Sequence, residues 1–183
     1  MPRVLEPGDY FGTTTLQYGD DGLSVVETSF ATDLVIPQHE HVNPFFGFVM
    51  DGRGTRSWPA RHGKDGPMSL TLFPAGVPHA NCRYGAGGKA LHVEFWSLWL
   101  QRPGGRTRVL DRPDDFANGA PVSFMRRLVR ECREQDSATA KSGVATGGSK
   151  SAWPVVFGLA HCVPDYGRLH AAKWLLHSQL VGH

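Results

Sequence analysis

Two stretches decide the reading of this chain: Pro37-Gln38-His39-Glu40-His41 and, about forty residues later, Phe73-Pro74-Ala75-Gly76-Val77-Pro78-His79-Ala80-Asn81. Side chains on a β-strand alternate between faces, so His39 and His41 point to the same side. Two imidazoles converging from one strand suit a divalent transition metal such as Fe, Mn, Zn or Ni. In the second stretch the prolines and Gly76 form a tight turn that fixes where His79 enters the next strand. His39, His41 and His79 are therefore the candidate metal ligands, with Glu40 or Asn81 to orient the rings through their other nitrogens. Two further readings stay open: polar handles in an apolar small-molecule pocket, or residues of the fold that hold no ligand.

The sequence around these stretches reads as short strands. Gly22 to Asp33 is β-rich and follows the turn signal Gly19-Asp20-Asp21-Gly22; Pro44 to Met50 is an apolar run closed by Asp51-Gly52. Met68 to Phe73 alternates, with Met68, Leu70 and Leu72 on one face and Ser69, Thr71 and Phe73 on the other. Leu91 to Leu100 puts Leu91, Val93 and Phe95 on one face and His92, Glu94 and Trp96 on the other. Strands at such intervals, split by 22 Gly and 13 Pro, suggest an antiparallel barrel or sandwich. The aromatic residues near the histidines, Phe45, Phe46 and Phe48, are core packing or the wall of an effector pocket; His92 and Glu94 are candidates for the same pocket. From about 115 to 136 the apolar residues Phe116, Phe124, Met125, Leu128, Val129 and Cys132 step by threes and fours, a helical stripe with Arg126, Arg127, Arg130 and Arg133 left for the wet side.

A histidine pair followed by Pro-x-Gly-x-Pro-His is similar to the two motifs of the cupin barrel. The longer string, Pro37-x-His39-x-His41-x-x-Pro44-Phe45-Phe46-x-Phe48-Val49-x-x-Gly52, then Leu72-Phe73-Pro74-Ala75-Gly76-x-Pro78-His79, then Gly87-Gly88-x-x-Leu91-His92-Val93-Glu94-Phe95, resembles the N-terminal sensor domain of AraC-type transcription regulators. This likeness runs from about Tyr10 to about Ala140. It implies an all-β cupin-like barrel (a double-stranded β-helix, or jelly roll) followed by one or two α-helices. It also implies a barrel that binds a small-molecule effector and relays its occupancy through the helix to a dimer partner. The family's first motif supplies a glutamate four or five residues after the histidine pair; here that place falls on Phe45 or Phe46, and Glu94 is the one candidate replacement on the same strand face as His92. Three histidines with open positions still suffice for a metal. A small metal-dependent cupin enzyme of isomerase or dioxygenase type is therefore the alternative to the sensor, which the sequence favours.

The expected organisation is a barrel over residues 1–112, a helical, dimerising segment over 113–140, and a divergent tail over 141–183. The tail holds four of the 19 Lys+Arg, one of the 17 Asp+Glu and four of the nine His, a clear change of composition. It lacks the two helix-turn-helix units with which AraC-type regulators continue, so specific DNA binding by this chain alone is not expected. Homodimerisation, or heterodimerisation with an intact regulator, is. The net charge of +2 gives no global field for nucleic acid or anionic membrane. The three cysteines are widely spaced, without a CxxC, and read as free thiols. With no apolar leader at Met1–Gly12 and no apolar span of about 18 residues, a cytoplasmic protein is expected.

Overall fold

Glycine and proline turns cut the chain into strands of three to eight residues. The computed structural model describes residues 2–20, 22–59, 61–82, 86–101 and 108–142; the expected tail therefore lies outside the described residues, apart from the end of the last helix. In chain order the elements are β1 (Arg3–Leu5), β2 (Thr13–Asp20), β3 (Leu23–Phe30), β4 (Val35–His41), β5 (Phe45–Asp51) and β6 (Gly54–Trp58). They continue with β7 (Arg61–Asp65), β8 (Leu70–Phe73), β9 (His79–Cys82), β10 (Gly88–Phe95), α1 (Ser97–Leu100), β11 (Asp114–Phe116) and α2 (Ala120–Ser142). The chain divides into two units between Ala117 and Asn118.

The first unit is a β-sandwich. One sheet has the order β1-β4-β9-β6-β7, the other β11-β8-β5-β10-β3-β2. From β3 to β6 and from β7 to β10 each strand lies in the sheet opposite its predecessor, as in a double-sheet jelly roll. All pairs are antiparallel except β1 with β4. The Asp51-Gly52 turn requires its glycine: Gly52 has φ +88°, and a Cβ there would lie 2.4 Å from the Gly87 carbonyl oxygen.

The six-stranded sheet has two unlike faces. Val25–Val93–Phe46–Leu72 and Leu91–Phe48–Leu70 run across one face as cross-strand neighbours, and all but the half-buried Phe46 are fully buried. The other face, turned toward the second sheet, carries Ser24–Glu94–Phe45, Val26–His92–Gly47 and Thr28–Ala90–Val49. The alternation expected over Met68–Phe73 holds within β8, which places Leu70 and Leu72 on the first face and Thr71 and Phe73 on the second. Every residue of β8 is buried, and Met68, at φ +72°, sits in the preceding turn. The strand expected to run to Leu100 ends at Phe95, because Ser97–Leu100 close a helical turn in which Trp99 is buried against Phe95, ring centroids 4.8 Å apart.

The second unit is described through α2. Its onset is later than the apolar stripe suggests, because Phe116 belongs to β11, paired with Leu70 of β8. Gly119, at φ +86°, stands outside the helix, and its carbonyl accepts the first intrahelical bond from the Ser123 amide at 3.0 Å. Pro121 occupies the first turn, where a missing N–H is tolerated. Val122, Met125, Leu128 and Cys132 form the buried stripe, and Cys132 is not in a disulfide with any described residue. The arginines lie on the exposed side, with the pairs Arg127–Glu131 at 3.7 Å and Arg130–Glu134 at 4.0 Å. Such exposed pairs contribute only a few tenths of a kcal/mol, roughly 0.3–0.5 each. Among the described residues, no helix is long and apolar enough to cross a membrane.

Candidate metal centre

Strand β4 does not run with simple alternation. Ile36 faces Asn81 of β9 and His39 faces His79, so β4 advances three residues while β9 advances two. This is a β-bulge at Pro37-Gln38. Proline, which cannot donate to a ladder, is tolerated there. The extra residue lets Ile36 and His39 both turn inward although they are three apart, and normal alternation then brings in His41. The turn from Pro74 to Pro78 is tied to the same strand, its Gly76 amide donating to the His41 carbonyl at 2.9 Å. It delivers His79 beside the other two.

His39, His41 and His79 are buried, and one nitrogen of each lies within 4.8 Å of one nitrogen of the other two. Ring centroids are 4.3 Å apart for His39–His79, 5.2 Å for His39–His41 and 5.6 Å for His41–His79. His39 Nδ1 is 2.8 Å from the Pro37 carbonyl oxygen, and His79 Nδ1 is 3.1 Å from that of Val77. A carbonyl only accepts, so each Nδ1 carries the proton and each Nε2 is the bare nitrogen. The rings are thus oriented by backbone two residues upstream. Glu40, expected as a possible orienting group, alternates away from the two histidines it separates.

Burial lowers all three imidazoles below their ordinary value, His41 to about 2 and His79 to about 3; neighbouring histidines add to the effect at His41 and His79, and the charge of Arg3 adds to it at His39. All three are neutral at physiological pH, the form that ligates. Zinc–nitrogen bonds of about 2.0–2.1 Å place tetrahedral ligand nitrogens about 3.3 Å apart, a spacing that falls inside the 4.8 Å within which these nitrogens lie. The donor set fits a divalent transition metal: three neutral imidazoles, two with the far nitrogen already held.

The other expected pocket residues are placed differently. Phe46 and Phe48 lie on the sheet face away from the histidines; strand parity puts Phe45 on the cavity wall instead, 4.4 Å from His41 by ring centroids. His92 does line the cavity. Its Nε2 is 2.9 Å from Thr28 Oγ1, and its ring stacks on Tyr10 at 4.0 Å. Burial lowers it to about 3. Glu94 is buried but does not replace the absent glutamate of the first motif. Its carboxylate accepts from the Gly8 amide at 2.8 Å, Ser24 Oγ at 3.1 Å and Asn43 Nδ2 at 3.1 Å, and ties three segments together.

Two parts of the cavity had no sequence signal. The loop between β1 and β2 supplies Tyr10, tilted on His41 at 5.1 Å, and Phe11, edge-on to His39 at 4.9 Å. Burial, then the charge of the Glu94 carboxylate, keeps the Tyr10 phenol well above its ordinary value; the hydroxyl is directed toward that carboxylate without forming a hydrogen bond of normal geometry. The second part is an ion network. Arg56 binds Asp65 and Thr71 through one nitrogen and Asp115, at 2.7 Å, through another. Arg61 reaches Asp115 at 2.6 Å, and Thr71 donates to it at 2.8 Å. The Arg56 guanidinium lies 5.2 Å from the Trp58 ring and 5.8 Å from Phe73. The space left between these groups is small, about 40 Å³.

No family model matches the sequence, and no curated protein matches it. Among solved structures, the chain is similar to a cupin superfamily protein from Desulfitobacterium hafniense, at 17% identity over 45% of this chain and 75% of that one, with a TM-score of 0.42. It is similar to the DMSP lyase DddQ from Ruegeria pomeroyi at 24% identity over 43% of this chain and 41% of that one, TM-score 0.41. It is also similar to KdgF from Halomonas sp. at 16% identity over 40% and 69%, TM-score 0.38.

Proposed function

We propose that this chain is a cupin-type sensor domain of the AraC-regulator kind, in which His39, His41 and His79 hold one divalent transition metal and a small effector binds beside it. The observation that carries this reading is the convergence of three buried, neutral imidazoles. Bound there, Fe, Mn, Zn or Ni would supply Lewis acidity and exchangeable coordination positions. The chain's own residues do the rest. The Pro37 and Val77 carbonyls fix two of the rings, and Phe11, Phe45 and Phe73 wall the site against bulk water. A cavity of about 40 Å³ holds roughly three water-sized positions and supports a small effector over a sugar-sized one.

The alternative is an isomerase- or dioxygenase-type enzyme on the same centre. Among the described residues lining the cavity, Asp65 is the only carboxylate, and Arg56 engages it. Without a free carboxylate base, sensing is favoured over turnover. Association as a homodimer, or with an intact regulator, belongs to the same reading.

Metal analysis of the tag-free protein tests it. About one equivalent of a transition metal in wild type, and under a tenth in His39→Ala/His41→Ala, is expected. No metal in either after incubation with Fe, Mn, Zn and Ni would overturn the centre.

A further inference from the structure

Strand β2 ends the six-stranded sheet, and among the described residues no strand pairs with its outer side. A free edge presents a row of backbone N–H and C=O groups that recruit another strand, and native sheets blunt such edges with charge, proline or shortness. Three of the four edges here are blunted. β1 and β11 have three residues each, with Arg3 on one and Asp114 and Asp115 on the other, and β7 carries Arg61, Lys64 and Asp65. β2 differs: it has eight residues, no proline, and no charge from Thr13 to Gly19. Thr13, Thr14, Thr15, Gln17 and Gly19 are exposed. A bulge at Thr15 interrupts the ladder once, and Leu16 to Asp20 then keep regular register against β3.

The neutral composition selects the partner. In an antiparallel pair about a two-fold axis each strand lies against its own copy, so any charge on it stands near the same charge. The threonines, Leu16, Gln17, Tyr18 and Gly19 meet no such repulsion, and threonine and tyrosine suit cross-strand pairs. A strand of a different protein is steered and registered by complementary charge, which this edge does not carry. Self-pairing also closes. Joining two six-stranded sheets through β2 leaves β11, short and acidic, at both outer ends, so the assembly stops at two chains. Helix α2 is the poorer contact: along its described side chains the apolar stripe is buried and the arginines are exposed.

We infer that two copies of this chain associate through β2, antiparallel about a two-fold axis, so that one sheet runs continuously across the dimer. The inference gives the homodimer of the sensor reading its contact strand. It rests on that reading for association alone and needs no metal.

Sedimentation equilibrium of the tag-free chain and two charge variants tests it. Thr14 and Gln17 are exposed and, with the bulge between them, share a face through their partners Thr28 and Val26. Wild type forms a dimer with a Kd of roughly 10–100 µM, as suits a contact of one strand. Thr14→Lys/Gln17→Lys and, separately, Thr14→Glu/Gln17→Glu weaken it by about tenfold, since each sets like charges at the contact. Mixing the two variants restores association to within about threefold of wild type, because opposite charges then meet. A wild type still monomeric at about 1 mM overturns the inference. So does a dimer that neither variant weakens, which puts the contact elsewhere, and so do folded variants whose mixture associates no better than either alone. Hydrogen exchange of wild type needs no variant: the Thr13–Gly19 amides exchange at least about threefold more slowly above the dimer Kd than below it, and equal rates overturn the contact. Metal content of the same samples separates the failures. Metal uptake by a monomer sinks the dimer alone, and a β2 dimer that takes up no metal sinks the centre alone.

Discussion

Two polar clusters lie side by side between the sheets, and they are built on opposite principles. Around Arg56, every charge finds a partner: Asp65, Thr71 and Asp115 on the guanidinium, Arg61 and Thr71 again on Asp115. The network closes on itself. Around His39, His41 and His79, two nitrogens are tied to backbone carbonyls and the remaining donor set faces inward, toward the other rings. A saturated cluster has nothing left to offer a ligand and serves the fold; an unsaturated one of neutral bases is a place for something to bind. The proposed function follows from this contrast more than from any single distance.

The contrast can be broken from its saturated side first. Arg56→Met leaves Asp65 buried without its counter-charge and is expected to cost about 3–5 kcal/mol in urea denaturation. Acid should act on the other side. The three histidines His41, His79 and His92 have depressed values in the folded chain, so protons bind the unfolded chain better. Their stabilisation is complete above the unfolded value of about 6.5 and is lost as pH falls below it, at about 1.4 kcal/mol per pH unit for each histidine. Between pH 7.5 and 5.5 the metal-free chain should lose about 4 kcal/mol, read from the denaturation midpoint. Asp65 runs the other way: burial raises its carboxyl, so its own contribution grows on acidification and offsets part of the loss.

Gly63→Ala probes how tightly the saturated cluster is fitted. A Cβ at Gly63 would stand 2.6 Å from Arg56 Nη2, and displacing the guanidinium should cost about 1–3 kcal/mol, again by urea. His41→Leu sharpens the comparison at its smallest expected effect. An apolar group of similar size replaces a neutral ring, so stability of the metal-free chain at pH 7.5 changes by under about 1 kcal/mol. Metal uptake, by elemental analysis, falls below a tenth of an equivalent. An equal loss of stability for His41→Leu and Arg56→Met would erase the distinction between the clusters.

The motif-bearing histidines were legible because strand alternation and a proline-glycine turn act over a few residues. Those two rules bring His39, His41 and His79 together from the sequence alone. Parity was less safe. Phe45, Phe46 and Phe48 are adjacent in sequence, and only pairing with β10 and β8 decides that Phe45 faces the cavity and the other two do not. Glu94 shares a face with His92, as alternation predicts, yet that rule is silent on the Gly8, Ser24 and Asn43 donors that claim it. Tyr10 and Arg56 carried no local pattern at all, since their roles arise from chain segments brought together by the sandwich. Pro37 was the overlooked signal. A proline inside a strand points to an edge or a bulge, and here it marks the bulge that aims two ligands.

That bulge also sets what the gene can lose. Deleting Gln38 would leave Ile36 and His39 two residues apart, still facing inward, with His39 and His41 in step behind them. Deleting Glu40 would instead throw His39 and His41 onto opposite faces. Strand β4 therefore has a spot where a codon can disappear without inverting its message, three nucleotides away from ones where the same loss dismantles the centre.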